Sequence, residues 1–543
     1  MGTENHSLEG KEQRNWWQDG VIYQIYPRSF MDSTGDGAGD LEGIRQRLPH
    51  LEWLGADGVW LSPVFPSPMK DGGYDVADYC DIDRRFGSLA DMDRLIRDAS
   101  ASGLRVVLDW VPNHSSDQHP WFLDSKSSRT SPRRDWYFWR DPAPDGSPPN
   151  NWVSIFGGPA WEWDEATGQY FLHSFLREQP DLNWRSPEVV RAMHDVLRFW
   201  LDRGVGGFRI DVVHGILKDP ELRSNPEIEG RSGYGGQRHL HDQNHPDVHS
   251  ALREIRSVFD AYDDRMAVGE VYLMDPAEVA KYYGQGDELH LAFNFSFLHC
   301  AWKAEAFRAE VERLEALLPE GCWPTLVLSN HDVARHASRY DDPALGEARA
   351  RVAAMLLLTL RGTPFLYYGE EIGMRNVAIP EDAIDDPIGR TLHPRLSRDP
   401  ERTPMQWTAD PGQGFTSGSP WLPFGPDAGE RNVGRQLLAR DSLLWLYRDL
   451  ISLRRRVPAL HRGTYASIGA PEGVYAFERR AGESLARVAL NFDDEPKEVD
   501  LGAEWVVGGI RTDRSVPLPE RSGKLELGPS EGIVLALDGD RIG

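Results

Sequence analysis

The sequence predicts a (β/α)8 barrel that carries an inserted subdomain and is followed by an antiparallel β domain. Three observations predict it. Eight short, apolar, β-branched runs recur along the chain, and helix-periodic stretches separate most of them, the alternation that builds a parallel sheet. Residues 115–186 break this rhythm, being rich in Trp, Pro, Ser, Asn and Asp with little helical period. From about residue 462 polar and apolar residues alternate, as in "VYAFERR" and "SLARVALNF", with turn pairs such as "DD" and "GG" between them. The 543 residues exceed the length at which one core stops growing, about 250–300. The expected units are a first barrel segment (12–114), the insertion (115–186), a second barrel segment (187–461) and the C-terminal β domain (462–543).

The barrel opens with "VIYQIYPRSF" (21–30). Helix-like "LEGIRQRLPHLEWLG" leads to "DGVWLSPVF" (57–65), and "LADMDRLIRDASASG" to "LRVVLDWVPNH" (104–114). After the insertion, "PEVVRAMHDVLRFWLDRG" (187–204) precedes "GFRIDVV" (207–213). "RMAVGEVY" (265–272), "LHLAFNFSF" (289–297), "TLVLSNHD" (325–332) and "TPFLYYGEE" (363–371) complete the set.

A net charge of −25 argues against nucleic acid and anionic membranes as partners. Cys80, Cys300 and Cys322 are too few and too scattered for a disulfide framework or a metal cluster. "MGTENHSLEGKEQ" lacks the basic and apolar regions of a signal peptide, and "VAAMLLLTL" is far short of the ~20 residues that span a bilayer. A cytoplasmic protein is expected. The 19 tryptophans are either packing mass or stacking surface for flat ligands such as sugar rings. His239, His241, His245 and His249 fit no common zinc spacing.

One strand raises a question. "GFRIDVV" is apolar except for Arg209 and Asp211, which are two apart and so share a face. Unpaired charges in an apolar interior cost several kcal/mol each. Other strands also end in polar groups: Asp109, Asn113 and His114, then Glu270, then His331 and Asp332. In α/β barrels the active site is assembled at these strand ends. There is no His-Glu-x-x-His motif, nucleophile elbow or phosphate loop. Paired carboxylates without a catalytic metal suit glycoside hydrolysis, in which one acid attacks and another protonates the leaving oxygen.

Five stretches in order, "DWVPNH", "QPDLNW" (179–184), "GFRIDVVH", "GEVY" and "SNHDVAR", resemble the conserved regions of the α-amylase superfamily, glycoside hydrolase family 13, in its α-glucosidase and oligo-1,6-glucosidase branch. The resemblance runs from "WWQDGVIYQIYPRSFMDSTGDGAGDLEGI" to the end of the barrel. It implies a catalytic barrel, a domain B after strand three and a C-terminal β-sandwich. It implies a retaining reaction on a small oligosaccharide or disaccharide, with Asp211 as nucleophile, Glu270 as acid/base and Asp332 as the third acid. Arg209 would orient Asp211 and keep it ionised. The two reacting carboxyls should lie about 5–5.5 Å apart. The resemblance further places Asp71, Tyr74, His114 and His331 around the terminal glucose, Arg402 paired with Asp71 to blind the pocket, and Phe156 and Phe175 at its entrance.

No catalytic cofactor is implied. "DSTGDGAGD" resembles a structural Ca2+ or Mg2+ loop formed by Asp32, Thr34, Asp36, the carbonyl of Ala38, and Asp40, with threonine where the family has asparagine. The expected activity is exo-acting release of glucose from α-1,4- or α-1,6-glucosides, with transglucosylation possible. Val212 and "QPDLNW" point to 1,6 cleavage, and "HGILKDPELRSNP" to 1,4 or broad preference. Alternatives are a sucrose- or trehalose-active isomerase or transglucosidase and a non-catalytic relative. The isomerase signature "RLDRD" is absent from 293–320, all three acids are present and no membrane span is visible.

Overall fold

The computed structural model describes residues 15–538. Residues 1–14, which hold all of the stretch read for a signal peptide and the start of the first barrel segment, and residues 539–543 lie outside the description.

Eight parallel strands form a nearly closed barrel. They are β1 (Ile22–Ile25), β2 (Gly58–Leu61), β3 (Arg105–Trp110), β7 (Gly207–Ile210), β8 (Met266–Gly269), β9 (Leu291–Ala292), β10 (Thr325–Val327) and β11 (Thr363–Tyr367). Each lies inside one of the eight apolar runs, but is shorter. Between β9 and β10 a side chain bridges the gap: the Thr325 hydroxyl donates to Ala292 O at 2.8 Å and accepts from Asn294 N.

Alternation along the strands sorts the core into two. One set packs inside the barrel, including Ile22, Trp60, Val107, Val268, Leu291 and Phe365. The other, including Tyr23, Val59, Leu108 and Ile210, packs outward within the large surrounding core. Trp60, Phe293 and Phe365 fill the interior, with Phe293 and Phe365 ring centroids 4.8 Å apart. The barrel is thus plugged, and any cavity must open above this layer. A Cβ on Gly207 would lie 2.3 Å from Met266 O, so β7 can approach β8 only with glycine there.

Between β3 and β7 the chain forms a separate three-stranded antiparallel sheet from β4 (Trp139–Arg140), β5 (Trp161–Asp164) and β6 (Gln169–Leu172). At the C-terminus a five-stranded antiparallel sheet is covered on one face by a two-stranded ribbon. Along Ser484–Asn491, Leu485 and Ala489 face the ribbon while Ala486, Val488 and Leu490 join the core that surrounds the barrel. Among the described residues no helix is long and apolar enough to cross a membrane.

Candidate active site

Arg209 and Asp211 sit at the outgoing end of β7. Arg209 points into the barrel above the aromatic plug, with its guanidinium 5.5 Å from the ring centroids of both Trp60 and Tyr74. It is 3 % exposed and meets three carboxylates. Nη1 donates to Asp109 at 2.8 Å and to Asp211 at 2.5 Å, and Nη2 donates to Glu270. The Glu270 carboxylate also accepts from Val212 N at 3.1 Å. One cation therefore holds Asp211 and Glu270 side by side.

Arg209 favours the ionised form of Asp211, but it does not outweigh burial. Burial pushes the Asp211 carboxyl well above the ordinary carboxylate range, and the charges of Glu270 and Asp109 add to the rise, although Arg209 opposes it. Burial likewise raises Asp109 to about 6 against the pull of Arg209. Burial is the largest cause, and one guanidinium divided among three acids offsets only part of it, so the cluster favours an added proton.

Asp332 behaves in the opposite way. Burial works against its ionisation, yet His331, Arg398 and Arg402 hold its carboxyl below the usual range. His331 is itself neutral down to about 3 because it is buried, so the two arginines supply the charge. They donate to Asp332 Oδ1 at 3.0 and 2.9 Å. Gln24 contacts His331 Nδ1 at 2.8 Å, which leaves the ring proton on Nε2, facing the Tyr74 hydroxyl at 2.7 Å. Tyr74 passes the chain on to Asp109 at 3.0 Å and stacks on His331.

Arg402 does not pair with Asp71. It binds His331 O and Asp332, and the partner of Asp71 is Arg398, at 2.8 Å. Arg398 also meets Asp332 and Asp386. Gln179 joins Asp71 (3.1 Å) to His114 (3.0 Å), whose pKa burial lowers to about 4. These groups line a cavity of about 530 Å3 whose wall includes Asp71, Tyr74, His114, Asp211, Glu270 and Asp332. Phe156 and Phe175 stand in its wall beside Arg398, with ring centroids 5.8 Å apart.

Arg398, Gln179, Gln24 and Tyr272 escaped the sequence reading. Gln24 was within reach, since it interrupts an apolar strand as Arg209 does. Arg398 was not, because nothing in "RLSRDPERTP" says which arginine reaches Asp71.

The loop at 32–40 does not assemble a cation site. Asp32 accepts from Thr34 N, Gly35 N, Gly37 N and the Thr416 hydroxyl. Asp36 accepts from Ala38 N, and Asp40 caps the helix Leu41–Leu54 through Gly43 N at 2.6 Å while accepting from Ser33. The carboxylates are spent on N–H groups, and among the described residues no three His, Cys, Asp or Glu side chains converge to hold a metal. The expected Ca2+ or Mg2+ ligand set of Asp32, Thr34, Asp36, the carbonyl of Ala38 and Asp40 is not found as a metal site among the described residues.

The alpha-amylase catalytic-domain description matches residues 24–463. The chain is 44% identical to a probable alpha-glucosidase of Rhizobium meliloti (strain 1021), over 90% of this chain and 91% of that protein. Among solved structures it is similar to the alpha-glucosyl transfer enzyme XgtA, with a TM-score of 0.91 and 41% identity over 97% of this chain and all (100%) of that one. It is also similar to the trehalulose synthase MutB of Pseudomonas mesoacidophila MX-45, with a TM-score of 0.89 and 35% identity over 97% and 100% of the two chains.

The residue after Asp211 is strained. β7 ends at Ile210, and Val212 turns into the left-handed region at φ 41, ψ 42. Strand alternation has lapsed there, so Val212 shares the cavity wall with Asp211. A β-branched residue in this region stores about 1–3 kcal/mol. Chemical denaturation should find Val212→Gly at least as stable as the parent, despite the lost side chain. A loss beyond about 1 kcal/mol would show that no such strain is held.

Proposed function

We propose that this chain, which belongs to the alpha-amylase family, is an exo-acting retaining α-glucosidase. The observation that carries the reading is the single guanidinium of Arg209 gripping Asp211 and Glu270 together, beside a cavity in which Asp71 is tied to Arg398. Inverting enzymes keep their carboxyls ~6.5–9.5 Å apart to seat a water between them, whereas retaining ones bring them closer. Carboxylates held by the two Nη atoms of one guanidinium fit the closer spacing.

The terminal glucose sits with its non-reducing end toward Asp71, Arg398 and His114. Asp332, held ionised by two arginines, accepts from sugar hydroxyls. Asp211 attacks C1 while Glu270 gives its proton to the glycosidic oxygen, and the C1–O bond breaks. Glu270, now a carboxylate, takes a proton from water as the water displaces Asp211, which restores both groups. The Asp71–Arg398 pair occupies the place a longer chain would need, which makes the action exo. Linkage is open between α-1,4 and α-1,6.

Proton NMR of reactions with maltose, isomaltose, sucrose and trehalose tests this reading. Glucose should be released from at least one, with the α-anomer appearing first. Release of β-glucose first would overturn retention, isomerised disaccharide as main product would place the chain with the isomerases, and no release from any would defeat the hydrolase reading.

The shared cation also predicts a pH effect. Activity needs Asp211 ionised, so it falls as pH drops through the acid limb of kcat/KM. Burial and the charges of its acidic neighbours put that limb above the ordinary carboxylate value of about 4. Asp109→Asn removes one negative neighbour and frees Arg209 for the other two acids, so the limb should move down by up to about one pH unit. A limb that stays in place or moves up contradicts the shared-cation account.

A further inference from the structure

The carboxylate of Asp71 stands on a short loop after β2, and that loop is held from behind. Asp75 is fully buried and lies behind the cavity wall rather than in it. Its Oδ1 accepts from the Ser67 hydroxyl at 2.8 Å and from Asp71 N at 3.1 Å, and its Oδ2 accepts from Lys70 N at 2.8 Å. Ser67 Oγ in turn accepts from Met69 N at 2.8 Å. The successive N–H groups of residues 69–71 thus all turn toward one buried anion and its hydroxyl partner. A run of N–H groups of this kind favours negative charge.

The turn so held is one the chain would not adopt unaided. Met69 is left-handed at φ 61, and Gly72 and Gly73 follow at φ 59 and φ 106. Asp71 O accepts from Tyr74 N at 3.0 Å, so the backbone of Asp71 is pinned on both sides. A Cβ on Gly72 would stand 3.1 Å from the Tyr26 hydroxyl and 3.5 Å from Arg402 Nη1, so the turn lies against the charged layer around Asp332. From this frame the Asp71 side chain reaches Arg398 at 2.8 Å and Gln179 at 3.1 Å. Burial raises the Asp75 carboxyl to about 6 against the pull of its three donors, and the charge of Asp71 adds to the rise. At neutral pH a buried carboxylate is therefore kept ionised at a cost to stability. A turn with no ligand to place would have no need of it.

We propose that Asp75 is a positioning residue for the terminal glucose: by accepting from Lys70 N and Asp71 N it fixes where the Asp71 carboxylate stands, and through it how tightly the closed end of the pocket grips the sugar. The proposal rests on the α-glucosidase reading and deepens it. The role is specific to a carboxylate, because two oxygens serve three donors. Asparagine in its place has one acceptor oxygen, and its amide N–H groups would meet Lys70 N or Asp71 N donor to donor. The turn then relaxes, and Asp71 loses its fixed distance to the sugar hydroxyls. Asp211 and Glu270 stay under Arg209 meanwhile. Asp71 grips glucose before as well as during bond breaking, so the loss falls on substrate binding more than on the chemical step.

A double-mutant cycle tests this, with 4-nitrophenyl α-glucoside as substrate and thermal unfolding as the control for folding. Asp75→Asn should lower kcat/KM about thirtyfold, nearly all of it in KM, with kcat within about threefold of the parent. Asp71→Asn should lower kcat/KM further, and the double variant should fall below Asp71→Asn by no more than about threefold. Ser67→Ala, which keeps the carboxylate and removes one of its donors, should raise KM about threefold and serves the same cycle where Asp75→Asn does not fold. Losses that add in the cycle, that fall on kcat with KM unchanged, or that are absent overturn the positioning role and leave the glucosidase reading standing. A parent enzyme that releases no nitrophenol defeats the glucosidase reading itself, and the proposal with it.

Discussion

The site depends on one interaction: a buried guanidinium shared by three carboxylates inside the mouth of the barrel. Arg209 resolves the charge pattern in "GFRIDVV". Strand alternation aims it inward with Asp211, and the parallel neighbours β3 and β8 bring Asp109 and Glu270 to the same height. Three acids gathered around one point would repel one another and lose their hydration. One cation offsets part of that cost, and a proton on the cluster offsets more. A retaining glycosidase needs this state, with one carboxylate ionised for attack and a neighbour protonated to assist departure. The fold supplies the rest of the constraint from below, since Trp60, Phe293 and Phe365 fill the barrel and hold the charged layer at its open end.

A second charged layer forms from parts of the chain remote in sequence. Asp71 follows β2, Gln179 comes from the insertion, and Arg398 and Arg402 come from the segment after β11. Asp332 is the meeting point, with two arginines and a neutral histidine about it. The two layers therefore have opposite proton affinities. Around Arg209 acids outnumber the cation and the carboxyls rise, while around Asp332 cations prevail and the carboxyl falls. The contrast separates groups that exchange protons from a group that only accepts hydrogen bonds.

The barrel was legible because it is written in short-range patterns, the alternation of β-branched runs and helix-periodic stretches. The charged cluster at the strand ends was legible because a charge in an apolar strand needs a reason. Side-chain partners over long separations were not. Arg398 and Arg402 are four residues apart in "RLSRDPER", and only the folded path decides which of them reaches Asp71. At 32–40 acids at even spacing can serve as N–H acceptors or as ion ligands, and here they accept from turns and cap a helix. Val212 reaches the cavity because the backbone turns left-handed there and strand alternation lapses.

The account stands on Asp211 as the group that bonds to sugar. Incubation with 5-fluoro-α-D-glucosyl fluoride, which slows breakdown of the glycosyl-enzyme, followed by proteolysis and mass spectrometry of the peptides, tests this most directly. The account predicts one fluoroglucosyl adduct, on Asp211. An adduct on Glu270 or Asp332, or none from an enzyme that turns the reagent over, would contradict it.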